Sequence, residues 1–492
     1  MTKEEERNSR IRGFLSREWR LSVGGELQAA DSLPTYPIED PSTGQAIALA
    51  PNGGADVANA AVTAAAAAYG GWRSLLIFER AAHLQRLAAA IEARSEDFAL
   101  LDAVCGGGPV ADMRKDVTSA VRGLRYFAGI APQLTGDTIP ASEHLHITER
   151  IPFGVVARIV AFNHPFLFSV AKAAAPLMAG NTVIIKPPES APLSALLFGE
   201  IAAEILPKGV LSVVVGDGPE VPRALVRHPE VRRIGFVGSE PTGRAIQEEA
   251  ARAGVKTVTL ELGGKNALIA FHDADVDQVA SAAVQGMNFA WAGQSCGSTS
   301  RLLVHEDIAN LVVERIVAIV QKIQIGPAID EATEQGPLTS HRQFERVSED
   351  IASALSDGAT LVTGGKRPDH LEKGHFLEPT VFDHVTPGMR IARAEVFGPV
   401  LSVMRWSDPQ DAIGIANSVQ YGLTAAIFTP DISQALQTAR ALEVGFIWIN
   451  GVSQHFTGVP YGGVKNSGIG RDNAFEELHS YTQTKAINIF IE

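Results

Sequence analysis

The chain is poor in cysteine. Its 492 residues hold only two, Cys105 and Cys296, too few for a disulfide framework and in keeping with free thiols in a reducing cytoplasm. Basic charge is also short: 42 Lys and Arg against 55 Asp and Glu leave a net charge of −13. With no cationic stripe to neutralise phosphates, neither a nucleic-acid partner nor an anionic membrane surface is expected. The most apolar stretch, Phe166–Ile185, is broken by Lys172, Pro176 and Asn181, so no membrane span is expected. The first residues, Met1 to Arg7, are charged with no apolar run behind them, so no secretory leader is expected either. Repeats of solenoid or propeller period are absent. What is left is an ordinary globular composition, 46% hydrophobic and 20% charged, in a chain long enough for two or three domains.

The pattern along the chain is α/β. Asp56, after Asn52-Gly53-Gly54, reads as the N-cap of an alanine-rich helix over Val57–Tyr69, and Ile77–Phe98 carries apolar residues at helical spacing. From about residue 150 short apolar runs alternate with alanine-rich helical stretches: Val155–Val160, Thr182–Ile185, Val210–Val215 and Arg233–Val237. Such alternation predicts a parallel sheet covered on both faces. A second alternating block, with strands at Asn266–Phe271, Arg301–Val304 and Val400–Arg405 and helices over Val276–Trp291 and Ile308–Ile323, puts a domain boundary near Glu261. The final apolar run, Ala486–Ile491, fits a strand paired either within its own chain or with another subunit.

Three local patterns carry chemistry. Cys296 ends the turn Gly293-Gln-Ser-Cys296 after a helical run, 35 positions beyond Glu261 in Glu261-Leu-Gly-Gly-Lys265. A cysteine can act as covalent nucleophile, and a glutamate can activate the water that cleaves the acyl bond. Gly238-Ser-Glu-Pro-Thr-Gly243 lies between a strand and a helix, where backbone N–H groups favour phosphate. Its spacing is neither that of a dinucleotide fingerprint nor that of a P-loop. Lys186-Pro-Pro-Glu189 follows a buried strand and so lies at the edge where open α/β sheets bind ligands.

Taken together with Phe162-Asn-His-Pro165, Glu395-Val-Phe-Gly-Pro399, Gly445-Phe-Ile-Trp-Ile-Asn450 and Pro460-Tyr-Gly-Gly-Val-Lys-Asn-Ser-Gly468, these segments resemble the NAD(P)-dependent aldehyde dehydrogenase superfamily, hydrolytic type, along essentially the whole chain. The resemblance implies a Rossmann-like cofactor domain (1–131 and 152–260), an α/β catalytic domain (261–455) and a small β flap (132–151 and 475–492) for a homodimer or homotetramer, with 456–474 returning toward the cofactor domain. It implies Cys296 as nucleophile, Glu261 as base for hydrolysis and the Asn163 amide with the Cys296 N–H as oxyanion donors. Lys172, with Asp472, would help release the proton from Glu261. Cofactor contacts would come from Phe162, Lys186, Glu189, Gly238, Ser239, Gly243, Leu262, Gly263, Glu395 and Phe397, and no metal is implied.

Glu189 beside the adenosine ribose would accept from free hydroxyls and repel a 2′-phosphate, favouring NAD over NADP. The aldehyde tunnel would be walled by His164, Phe168, Ala171, Trp291, Ser295, Gly297, His455, Phe456 and Tyr461. These rings, together with a small Ala171, point to an aromatic or medium-chain apolar aldehyde; a trimethylammonium or amino aldehyde held by cation–π contacts is the alternative. A catalytically silent NAD-binding relative is the reading from a different class, and the intact Cys296, Glu261 and Asn163 weigh against it. Departures from the family pattern are Phe162 for Trp, Gly108 for Lys, Val221 and Pro222 where a glycine is usual, and Asp472 for Glu.

Overall fold

The structure, a computed structural model, describes residues 3–28 and 33–491. Two twisted sheets dominate. The first has eight strands, in the spatial order Glu26–Gln28, Leu21–Val23, Leu211–Val213, Thr182–Lys186, Val155–Ile159, Val231–Val237, Thr257–Glu261 and Gly468–Ile469. The five strands from Leu211–Val213 to Thr257–Glu261 run parallel, while Leu21–Val23 and Gly468–Ile469 add antiparallel edges. All residues of Val155–Ile159 and Thr182–Lys186 are buried. Continuous apolar runs are what strands covered on both faces require, and βαβ crossovers supply the covering helices. The chain order reverses between Val155–Ile159 and Val231–Val237, so a ligand crevice is expected outside the carboxyl ends of these two strands. Residues 160–164 and the Gly238–Ser239 turn leave the sheet there.

The second sheet has seven strands, in the order Thr360–Thr363, Thr380–Asp383, Val400–Trp406, Arg301–His305, Ala267–Ala270, Thr424–Phe428 and Phe446–Ile449. All pairs are parallel except the edge strand Thr360–Thr363. A separate two-stranded ribbon pairs Thr482–Ile489 antiparallel to Leu145–Pro152. The apolar run at the chain end thus finds its partner within its own chain. Tyr481, just before that strand, is buried under Arg233, whose guanidinium carbon sits 4.2 Å from the ring centroid. The Asn181 side-chain amide also donates to the Tyr481 carbonyl at 3.0 Å. A desolvated cation–π contact contributes about 2 kcal/mol, so the ribbon is anchored on the first sheet.

Local boundaries differ from the expected ones for identifiable reasons. The alanine-rich helix begins at Ala55 with Gly54 as N-cap, and Asp56 lies in its first turn, still well placed for the helix dipole. The stretch expected as one helix to Phe98 is two, Ile77–Ala93 and Ser95–Gly106, broken where Arg94 leaves the helical region (φ −118°, ψ 22°). Likewise the helix from Val276 stops at Gly286. Asn288 and Ala292 then take left-handed φ values of 56° and 48° around a short turn, Phe289–Trp291.

Candidate active site

The two sheets face each other through their connecting loops. Asn163, Gly238 and Glu261 leave the carboxyl edge of the first sheet, whereas Lys265, Cys296 and Glu395 lead into the amino edge of the second. Glu261 ends its strand between two neighbours, paired with Val237 on one side and Gly468 on the other. The cysteine turn is equally constrained. Gly293 has φ 70°, and a Cβ there would stand 2.1 Å from the Gly398 carbonyl oxygen, so only glycine fits. Asn266 donates to the Cys296 carbonyl at 2.7 Å and to the Ser298 carbonyl at 2.9 Å, and accepts from the Thr424 N–H at 3.0 Å. This side chain, which the sequence reading passed over, ties the nucleophile's turn to the second sheet.

Around Cys296 the groups converge. Its Sγ lies 3.7 Å from Glu261 Oε1 and 3.8 Å from the Tyr461 hydroxyl. The other Glu261 oxygen meets Lys172 Nζ at 3.2 Å, and Lys172 in turn donates to Asp472. Burial and Glu261 push the Cys296 thiol up, with Tyr461 and Lys172 opposing. The resting thiol is therefore protonated, and Glu261 is the base within reach of its proton. Burial raises Glu261 as well; Lys172 opposes this and Asp472 adds to it. For Asp472 burial also works upward, yet Lys172 and Arg158 outweigh it and hold this carboxyl well below its usual range. Glu477, held by the Asn473 N–H at 2.7 Å, is pushed up to about 7 by burial and Asp472. Lys172 thus stands between two carboxylates of opposed tendency, with Glu477 beyond them.

Tyr461 was expected as tunnel wall; it contacts the sulfur itself. Replacing Tyr461 with Phe removes a hydrogen bond that favours the thiolate. The pH profile of Cys296 alkylation by iodoacetamide is then expected to move to higher pH, while the buried Cys105 stays unreactive. An unshifted profile would show that the hydroxyl does not donate to sulfur.

Two donors lack partners among the described residues: the Cys296 backbone N–H, and the buried Asn163 side-chain amide on the loop that leaves the carboxyl edge of the first sheet. Unpaired donors of this kind suit an oxyanion that forms only during reaction.

The residues expected around a dinucleotide sit on the loops at the carboxyl edge of the first sheet and on the facing loop before the strand Val400–Trp406. Lys186 Nζ meets Glu189 Oε2 at 2.9 Å at the end of its strand. The helix Glu240–Ala253 starts at Ser239, whose hydroxyl bonds Thr242 at 2.9 Å and leaves the first-turn N–H groups uncapped. A Cβ on Gly243 would meet Leu262 at 2.8 Å, so the helix packs closely on the loop after Glu261. Glu395 accepts from the Gly264 N–H at 2.9 Å, and a Cβ on Gly263 would stand 1.9 Å from its other oxygen. Burial pushes Glu395 up to about 7, against Gly264, Arg346 and Lys265. Phe397 has φ 55°, and its ring meets Phe162 edge-on at 5.7 Å. An uncapped helix terminus, an ion pair whose Glu189 end reaches solvent and a buried carboxylate fit a dinucleotide.

On the aldehyde side, His164 lies between the Phe168 ring at 5.3 Å and the Trp291 ring at 5.1 Å. Ala171 faces Gly123, where an added Cβ would stand 3.6 Å from the Ala171 methyl, so the two helices approach closely. Ser295 is half-buried and Gly297 lies beneath Tyr461. His455 and Phe456 are solvent-exposed; the His455 ring stands edge-on to Tyr461 at 4.6 Å. Among the described residues no group of side chains could hold a metal ion, and no helix is long and apolar enough to cross a membrane.

Comparison with known proteins agrees with this geometry. The model of the aldehyde dehydrogenase family matches residues 28–487. The aldehyde dehydrogenase tropH of Talaromyces stipitatus is 46% identical over 460 residues, 92% of this chain and 89% of that protein. The hydroxyisobutyraldehyde dehydrogenase of Mycolicibacterium austroafricanum is 41% identical over 96% of this chain and 94% of its own. A solved NAD+ complex of an aldehyde dehydrogenase from Bacillus cereus superposes with a TM-score of 0.95 at 36% identity, covering 100% of this chain and 99% of that one. The chain belongs to the aldehyde dehydrogenase family.

Proposed function

We propose that the protein oxidises an aromatic or medium-chain apolar aldehyde to its carboxylic acid with NAD. The observation that carries the chemical reading is the Cys296 sulfur, 3.7 Å from Glu261 and 3.8 Å from the Tyr461 hydroxyl, with its own backbone N–H unpartnered. Glu261 takes the thiol proton, and the thiolate adds to the aldehyde carbon. The charge that develops on oxygen is met by the Asn163 amide and the Cys296 N–H. The chemistry that bound NAD supplies is hydride acceptance, which turns the adduct on Cys296 into a thioester. Lys172 with Asp472 passes the thiol proton from Glu261 outward, which restores the carboxylate; Glu261 then draws a proton from water, whose oxygen displaces the Cys296 thiolate from the thioester to give the acid. Lys186 and Glu189 hold the adenosine ribose, Gly238 and Ser239 the pyrophosphate, and Glu395 the second ribose, while Phe162 and Phe397 flank the nicotinamide.

Preference for NAD rests on Glu189. Its side chain is 54% exposed at the strand edge, where it accepts from free ribose hydroxyls and repels a 2′-phosphate. The two sheets supply the cores of a cofactor and a catalytic domain. The ribbon of Leu145–Pro152 and Thr482–Ile489 is two-stranded, with Ile489 and the following Phe490 exposed, which supports assembly into a homodimer or homotetramer; the two free cysteines suit the cytoplasm.

The test is a panel of aromatic, aliphatic and trimethylammonium aldehydes with NAD or NADP, read as reduced-cofactor absorbance. The highest kcat/KM is expected for aromatic or medium-chain aldehydes with NAD. A higher kcat/KM with NADP would sink the cofactor assignment, and an inert panel would sink the dehydrogenase reading.

A further inference from the structure

His164, one of the residues assigned to the aldehyde tunnel, is a polar group that the proposed chemistry does not use. His164 Nδ1 lies 2.6 Å from Asp116 Oδ2, and Asp116 is buried on the helix Val110–Ile130. That helix packs on Pro165–Met178, where Gly123 and Ala171 approach closely. Asp116 lies two turns before Gly123 and so shares its face. The small pair that lets the two helices approach therefore also carries Asp116 to the imidazole. With Phe168 and Trp291 on its flanks, the ring is fixed on three sides. Nε2 is the remaining polar atom, and it has no hydrogen-bond partner among the described residues, although the side chain is only 16% exposed.

We propose that His164, oriented by Asp116, is a specificity-determining hydrogen-bond donor that selects aldehydes carrying a carboxylate, phenolate or similarly strong oxygen acceptor and disfavours quaternary-ammonium aldehydes. The inference rests on the dehydrogenase reading above, keeps its aromatic substrates and replaces their apolar character with an oxygen acceptor. Nδ1–H donates to Asp116, so a protonated ring presents Nε2–H to the tunnel, and a charge-assisted bond to an anionic oxygen is the strongest this site can make. A trimethylammonium group has no acceptor and meets an imidazolium. Burial works against the charged ring, but Asp116 outweighs it, with Asp102 and Glu261 adding to the rise above the ordinary value. The groups facing the imidazole are Asp116 and Asp102 from the two helices behind it, Glu261 from the strand end, His455 from the loop opposite and Lys172 on its own helix. Asp116 is a positioning residue that acts through His164.

The experiment compares kcat/KM for meta- and para-carboxybenzaldehyde with their shape-matched isopropyl analogues, alongside a trimethylammonium aldehyde. The intact enzyme is expected to prefer one carboxylated isomer by roughly tenfold or more. His164→Phe keeps a ring and removes the donor, so that ratio should fall to about one or invert; a general loss of activity cancels in the ratio. Asp116→Asn keeps an acceptor but removes the charge that stabilises the imidazolium. Its preference should be lost at neutral pH and return at lower pH, which a purely structural role would not produce. In the intact enzyme the preference should fade as pH rises through the elevated imidazole pKa, where Nε2 turns from donor to acceptor. A panel turned over without that preference, a ratio unchanged in His164→Phe, or a preferred trimethylammonium aldehyde overturns this inference alone. No turnover of any aldehyde overturns the dehydrogenase reading and this inference with it.

Discussion

Replacing Cys296 with Ala is expected to abolish reduced-cofactor formation, with at least about a 10⁴-fold loss in kcat/KM, the scale seen when a covalent nucleophile is removed. No other group can substitute. Cys105 is fully buried, on a helix of the first sheet's covering layer, and Tyr461, the next nearest nucleophile, is held neutral by its burial. The fold should survive, because the turn is held by Asn266 through the Cys296 carbonyl and not through its sulfur. An unaltered thermal transition together with lost activity is the expected pair of results. Substantial residual turnover would refute the assignment of the nucleophile.

Glu261→Gln probes both halves of the reaction, because Glu261 is placed to take the thiol proton and later a proton from water. Gln cannot take a proton from water, so hydrolysis should slow by about 10²–10⁴-fold, the usual worth of a general base. If another base, or the solvent, can still release the thiol proton, a rapid-mixing trace shows a burst of reduced cofactor near one equivalent per site and then little turnover. Loss of the burst itself would mean that Glu261 is also needed to create the thiolate, consistent with its 3.7 Å contact to sulfur. Normal steady-state turnover would sink both roles. The same carboxyl gives a pH dependence with a defined sign. Burial and Asp472 raise its pKa against Lys172, so the fraction able to act as base falls as pH drops through that raised value. Hydrolysis should therefore fail on the acid side at a higher pH than an ordinary glutamate would give.

Much of this site was legible in the amino-acid sequence, for definite reasons. Buried parallel strands are continuous apolar runs, so Val155–Ile159, Thr182–Lys186 and Val231–Val237 stood out, as did the loops that must follow them. The nucleophile stood out because the chain has so little cysteine. Other features leave no local trace. Thr257–Glu261 mixes exposed and buried residues and offers no run to recognise. Gly468–Ile469 is two residues long, and its strand character exists only because Leu260 and Glu261 are there to pair with it. Asp116 sits on a helix 48 positions before His164, and nothing near either residue announces the other. Asn266 reads as the start of a strand, and only the folded turn of Cys296 reveals its two donors in use. Helix breaks at Arg94 and Gly286 were missed because alanine-rich and mixed helical sequence continues through them, and tertiary packing decides where the helix ends.

The pairing of Glu261 with Gly468 has a consequence for the birth of the protein on the ribosome. Lys172 meets a partner 300 positions later in Asp472, and Cys296 meets one 165 positions later in Tyr461. Tyr461 and Asp472 are themselves joined by a backbone bridge, so both partners arrive together on one late segment. Synthesis proceeds at about 5–20 residues per second, and for the 165 residues between Cys296 and Tyr461, about a third of the 492-residue chain, the nucleophile exists without that partner. A chain truncated before residue 460 would keep nearly all of both sheets yet lack the contacts that complete its chemistry. The reactive thiol is armed last.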